Sequence, residues 1–219
     1  MGPWELVIFD NDGVLVDSEG MANAILGGLL SDYGCPTTTE EAGERHLGTT
    51  LGRVRAVVEA SGVLVPADFE RTYNERLFVE FDARLVAVPG VREVVLGLDV
   101  SICVASSGIH ERIRRSLQRT GLLELFEGRI FSADDVARGK PAPDLFLHAA
   151  RALGARPGCC AVIEDSPAGV LAANAAGMCS FGYAAVTPPN RLCAASVVFS
   201  DMGQLPRLLA AGPPGERPG

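Results

Sequence analysis

Short apolar, β-branched runs punctuate the chain, and each stops at a polar or turn-forming residue. The first, Leu6-Val7-Ile8-Phe9, ends at Asp10-Asn11-Asp12-Gly13 and predicts a buried strand entering a turn. Similar runs lie at Val100–Ala105, Arg129–Phe131, Cys160–Ile163, Cys179–Gly182 and Val197–Phe199. Between most of them the apolar spacing becomes helical. Ile109, Ile113 and Leu117 share one helix face, Leu145 to Leu153 reads as a helix after Pro141-Ala142-Pro143, and Ala168 to Ala176 as a small-residue helix stopped by Gly177. Strands alternating with helices predict an α/β fold, a doubly wound, Rossmann-like parallel sheet covered on both faces.

Residues 18–87 break this rhythm. Ser18 is placed to cap a helix whose Met21, Ala22, Ile25, Leu26, Leu29 and Leu30 share one face and which ends near Gly34. Helical stretches follow at Leu51 to Ala60 and Pro66 to Leu85, the second with Phe69, Tyr73, Leu77 and Phe81 at core spacing. A helical block inserted after the first strand predicts a cap domain over 18–87 and a discontinuous core from 1–17 and 88–211. Residues 212–219, Gly-Pro-Pro-Gly-Glu-Arg-Pro-Gly, are too poor in apolar groups to offset chain entropy and are expected to be disordered.

Composition narrows the setting. The chain is 219 residues long with 47% apolar residues, ample for a sizeable core. A formal charge of −8 disfavours a nucleic-acid or anionic-membrane surface, and no apolar run is long enough to span a bilayer. The start Met-Gly-Pro-Trp-Glu lacks a basic segment, and Leu6 breaks the myristoylation pattern. Cys35, Cys103, Cys159, Cys160, Cys179 and Cys193 show no C-x-x-C spacing, and Cys103 and Cys159 fall in apolar runs where Cys acts as a small buried hydrophobe. The expectation is a soluble, cytoplasmic protein that meets a small molecule, neither nucleic acid nor membrane.

Ligands of open α/β sheets bind beyond the carboxyl ends of the strands. At those ends stand Asp10-x-Asp12, Ser106-Ser107-Gly108 and Glu164-Asp165-Ser166, with Gly139-Lys140-Pro141 between the third and fourth strands. Lys140 is the only lysine among nineteen basic residues. An EF-hand loop fails for Asp10-x-Asp12, because Gly13 and Glu19 fall at the wrong positions and a strand precedes it. Several carboxylates at one sheet edge repel unless a cation neutralises them, and hard oxygen ligands with few alternatives imply Mg²⁺. A divalent cation, a lysine and a hydroxyl form a cradle for a phosphoryl group, which one carboxylate could attack while another handles protons.

These segments, Phe-Asp10-Asn-Asp12-Gly-Val-Leu-Val-Asp17-Ser-Glu19, Val-Ala-Ser106-Ser, Gly-Lys140-Pro-Ala-Pro-Asp144 and Ile-Glu164-Asp165-Ser-Pro-Ala-Gly, resemble the four ordered motifs of the haloacid dehalogenase-like hydrolase superfamily. The likeness extends to about Leu209 and is nearest to the β-phosphoglucomutase-like and sugar-phosphate phosphatase branch. It implies Asp10 as nucleophile and Mg²⁺ ligand, and Asp12 as general acid/base with its carbonyl on the metal. It also implies Ser106, Ser107 and Lys140 around the phosphate, Asp165 on the metal, and Glu164 beside it as ligand or supporting partner.

Departures from the pattern select among activities. Ala22 and Leu51 stand where the resembled mutases carry a His and an Arg, no lysine lies in 18–87 for a Schiff base, and Asp12 is the acid that dehalogenases lack. A Mg²⁺-dependent phosphatase acting through an aspartyl-phosphate on a small phosphorylated metabolite, a sugar or sugar-acid phosphate, is the expectation. A sugar-phosphate mutase and a non-catalytic phosphate-ligand sensor are the alternatives. Arg45, His46, Thr49 and Thr50 are the candidate substrate-reading residues of the cap.

Overall fold

The computed structural model describes residues 4–212, so the expected tail, 212–219, lies outside the described residues apart from Gly212. Six strands form one parallel sheet in the order β3-β2-β1-β4-β5-β6. They are β1 (Leu6–Phe9), β2 (Ser101–Ser106), β3 (Ile130–Ser132), β4 (Cys160–Glu164), β5 (Cys179–Tyr183) and β6 (Val197–Phe199). Helices α1 (Glu19–Asp32), α2 (Thr39–His46), α3 (Leu51–Ala60) and α4 (Phe69–Arg84) follow β1. Then come α5 (Val91–Gly97), α6 (His110–Arg119), α7 (Leu123–Phe126), α8 (Asp144–Ala152), α9 (Pro167–Ala175) and α10 (Leu205–Ala210).

Alternation along β1 explains why both sheet faces are covered. Leu6 and Ile8 join Leu145, Phe146 and Ala173 of α8 and α9, whereas Val7 and Phe9 join the opposite layer with Ile113, Leu117 and Phe126. That second layer runs on into the inserted helices through Met21, Leu29, Phe69 and Phe81. The chain enters and leaves the insert on two paired linkers: the Asp17 amide donates to Val86 O at 3.0 Å and the Val88 amide to Leu15 O at 3.0 Å.

Two expectations are corrected locally, and one helix, α2, has no counterpart among them. Ser18 precedes α1 but does not cap it, because its hydroxyl is drawn to Asp12 instead. Cys159 closes a 3₁₀ turn and is half-buried, while its neighbour Cys160 starts β4 and is buried. Helix α2 carries no apolar stripe; the Thr38–Glu41 capping box starts it, with the Glu41 amide donating to Thr38 Oγ1 and the Thr38 amide to Glu41 Oε2. No helix among the described residues is long and apolar enough to cross a membrane.

Candidate active site

Strand β1 lies between β2 and β4, where consecutive crossovers diverge and a crevice opens at the carboxyl edge. Asp10 follows β1 there, its amide still donating to Ile163 O of β4 at 2.9 Å. The next side chain, Asn11, is buried and fastens the loop to Ser116 of α6, which leaves Asp12 free to turn back to the crevice. Gly13 sits at φ 75°, and a Cβ there would lie 1.9 Å from Asp165 Oδ2. Only glycine permits both the backbone and that approach.

Lys140 reaches Asp10 from behind. Its Nζ donates to Asp10 Oδ1 at 2.6 Å, Glu164 Oε1 at 2.6 Å and Ala105 O at 3.0 Å, which uses all three ammonium protons. Burial opposes the charge, yet the two carboxylates hold the ammonium above the usual lysine range. Glu164 Oε2 accepts from the Ser166 amide and hydroxyl at 3.1 and 2.8 Å. Neither Lys140 nor Glu164 lines the crevice; Asp10, Asp12 and Asp165 do, with Ser106 and Ser107 opposite. A Cβ on Gly169 would lie 1.8 Å from the Glu164 carboxyl, so the first turn of α9 is shaped around that side chain.

Oxygens of Asp10, Glu164 and Asp165 fall within 4.8 Å of one another. Burial, with the other carboxylates adding to it, pushes Asp10 up to about 8 against the pull of Lys140, and holds Asp165 well above the usual carboxylate range. Buried carboxylates that raise one another in this way fit a hard divalent cation, which would relieve both their burial and their repulsion.

The insert closes the other side of a cleft of about 380 Å³, a size suited to a small metabolite. Its α2–α3 loop touches three core loops. Ser107 Oγ donates to Gly48 O at 3.1 Å, a Cβ on Gly48 would meet Ser166 Oγ at 2.3 Å, and one on Gly139 would meet Thr50 Cγ2 at 3.2 Å. His46, Thr49 and Thr50 line the cleft as expected; the Thr49 hydroxyl donates to His46 O, while Thr50 Oγ1 accepts from the Arg53 amide at the start of α3. Arg45 does not line it. Its guanidinium points outward and pairs with Glu41 at 3.0 Å, so it is set aside as a substrate reader.

Several cleft residues have no counterpart in the sequence expectations. Arg112 of α6 donates to Asp12 Oδ1 at 2.9 Å, the same oxygen that accepts from Ser18 Oγ at 2.5 Å, and lies over the Tyr73 ring at 5.8 Å. It occupies the third position of a helix, where the dipole disfavours a cation; an Arg there signals a nearby carboxylate. Glu19 and Asn23 come from α1, and Glu70, Tyr73 and Asn74 from α4. Burial and the nearby Asp12 push Glu19 up to about 7. Ala22 and Leu51 also line the wall.

Set against known proteins, residues 4–177 match the model of the haloacid dehalogenase-like hydrolases. The chain is 31% identical over 211 residues to a 6-phosphogluconate phosphatase of Escherichia coli, covering 94% of this chain and 95% of that one. It is 32% identical over 181 residues to a phosphorylated carbohydrates phosphatase of Thermotoga maritima, covering 80% and 82%. Among solved structures, a conserved haloacid dehalogenase-like protein of unknown function from Agrobacterium tumefaciens superposes with a TM-score of 0.81 at 35% identity, covering 95% and 98%.

Proposed function

This chain belongs to the haloacid dehalogenase-like hydrolase family and is a phosphoric monoester hydrolase, and from that premise we propose a Mg²⁺-dependent phosphatase of small phosphorylated metabolites of the sugar type. The observation that carries the reading is Asp10, open to the cleft on one side and charge-balanced by Lys140 at 2.6 Å on the other. Asp10 attacks phosphorus, forming an acyl phosphate, while the ester oxygen departs with a proton from Asp12. Water then attacks that phosphorus, gives its proton to Asp12, and releases inorganic phosphate and free Asp10. With Oδ1 of Asp12 held by Ser18 and Arg112, Oδ2 is the oxygen left to exchange the proton.

Asp10, Asp165 and the Asp12 carbonyl would hold Mg²⁺, whose chemistry is to neutralise charge on the phosphoryl oxygens. Glu164, with both oxygens engaged, serves to hold Lys140 and Ser166 in place. Ser106, whose hydroxyl accepts from the Gly108 amide and keeps its proton, binds a phosphoryl oxygen, and the Ser107 hydroxyl joins it on giving up its bond to Gly48 O. Lys140 restrains charge on Asp10 and contributes to the field at the phosphate. The names of the two phosphatase relatives support a phosphorylated sugar as substrate. Phosphate release from p-nitrophenyl phosphate should vanish in EDTA, return with Mg²⁺, and be absent in Asp10→Asn. Near-normal turnover in Asp10→Asn would remove the nucleophile assignment.

A further inference from the structure

The charges around the cleft are unevenly placed. At the phosphoryl end, Asp10, Asp12, Glu164 and Asp165 are met by Lys140 and Arg112, and a divalent cation would complete the balance. At the far end, formed by the insert, the balance is weaker: Glu70 has Arg55 at 3.8 Å, outside the cleft lining, and Glu19 has no basic partner from the insert. Arg112 is the only Lys or Arg among the described residues lining the cleft; it comes from the core helix α6, its Nη2 donates to Asp12, and its Nε is buried without a partner beside that carboxylate end. His46, the remaining basic group, is half-buried and held below its usual range by that burial and by the neighbouring Arg45, so the cleft disfavours its charged form.

Opposite these stand Glu19, Asn23, Glu70 and Asn74. The Asn23 amide faces Glu19 Oε2 at 3.4 Å, and the Asn74 amide donates to Glu70 O at 2.9 Å, which leaves the Asn74 oxygen as its accepting side. Glu19 offers no positive charge in either protonation state. Glu70 has only Arg55 near it, at 3.8 Å, and that guanidinium donates to the carbonyls of Val65, Pro66 and Ala67. The part of the wall supplied by α1 and α4 is therefore rich in acceptors and contributes no cation of its own to the cleft. A ligand carrying hydroxyl or ammonium donors matches it; a carboxylate or a second phosphate would bring acceptors and negative charge to a wall of the same kind.

We propose that the leaving group is a polyhydroxylated alcohol bearing hydrogen-bond donors and no second anion, so that sugar-acid phosphates and bisphosphates are discriminated against. This rests on the phosphatase reading and separates the chain from its 6-phosphogluconate phosphatase relative. Matched pairs test it: glucitol 6-phosphate against 6-phosphogluconate, which differ only in a terminal CH₂OH or carboxylate, and fructose 6-phosphate against fructose 1,6-bisphosphate. With the full chain and Mg²⁺, kcat/KM for phosphate release should favour the member of each pair without the second anionic group by roughly tenfold or more, as expected when a ligand group meets unmatched polar groups. Glu19→Gln and Glu70→Gln should each narrow the glucitol-to-gluconate ratio several-fold, a ratio in which any general loss of activity cancels. Equal or reversed preference overturns the inference and leaves the phosphatase standing, as does a ratio unmoved in both variants. No phosphate from any member or from p-nitrophenyl phosphate would instead sink the phosphatase reading itself.

Discussion

Replacing Lys140 by Met removes the cation on which the core of the site is balanced while nearly conserving volume. Each of the two carboxylate contacts, at 2.6 Å, has a gross attraction of about 6 kcal/mol at an effective dielectric of about 20. Recovering the solvation of the buried ammonium offsets much of this, and removing one partner of a buried ionic group costs about 3–5 kcal/mol on balance. The volume change alone costs less than about 1.5 kcal/mol. For a chain of this size the loss corresponds to a fall in Tm of about 6–20 °C. Urea unfolding should be followed in EDTA, so that no added cation substitutes for the ammonium, with two probes to check that the transition is cooperative. The sign of the double variant is decisive. If uncompensated charge is the cause, Glu164→Gln in the Lys140→Met background should restore stability, although alone it destabilises. A double variant less stable than Lys140→Met, or a Lys140→Met loss below about 1 kcal/mol, would refute the charge argument.

Gly169→Ala would force Glu164 out of its seat, since the added carbon would lie 1.8 Å from the carboxyl; both Tm and kcat should fall, and a crystal structure should show Glu164 moved. Asp12→Asn should lower kcat by roughly 10²–10⁴-fold as a general acid/base. Arg112→Met, which removes one charge-assisted bond to Asp12, should lower it by roughly 10- to 100-fold with KM less affected, and Lys at that position should recover part of the loss. β-Glucose 1-phosphate with catalytic glucose 1,6-bisphosphate should give inorganic phosphate in ³¹P NMR, because Ala22 and Leu51 supply no proton-handling or phosphate-gripping group to the cleft wall; faster accumulation of glucose 6-phosphate would establish a mutase.

The phosphoryl half of the site is legible in sequence because strands place it. Asp10 and Asp165 each stand one residue past the end of a buried strand, β1 and β4, and in a parallel sheet every such position falls on one edge. Lys140 stood out because no other lysine competes with it. Elements carrying a stripe or a run were likewise found, α3 to the residue. Helix α2 was not, because Ala42 is its only buried residue, although Thr38-x-x-Glu41 announced it. The run Val-Arg-Glu-Val-Val-Leu-Gly, of strand-like composition, became α5 because it follows Gly90 at φ 77° and packs Val91, Val94 and Val95 inward at helical spacing.

The far half resists reading for a different physical reason. Glu19 and Asn23 are four residues apart on α1, and Glu70 and Asn74 four apart on α4, the spacing of any polar helix face. Nothing in that spacing says whether the face meets water or another domain. The answer depends on how the insert is seated, which the paired linkers and the Gly48 contact with the core decide together. Arg45 lies one residue from His46, yet its side chain pairs with Glu41 outside the cleft that His46 lines. The same geometry separates the tasks. Strand ends set the phosphoryl chemistry and cannot shift without breaking sheet register, whereas polar positions on α1 and α4 can change without disturbing a strand. Selectivity for the leaving group should therefore respond to Glu19, Asn23, Glu70 and Asn74 while phosphoryl transfer itself continues to depend on Asp10 and Asp12.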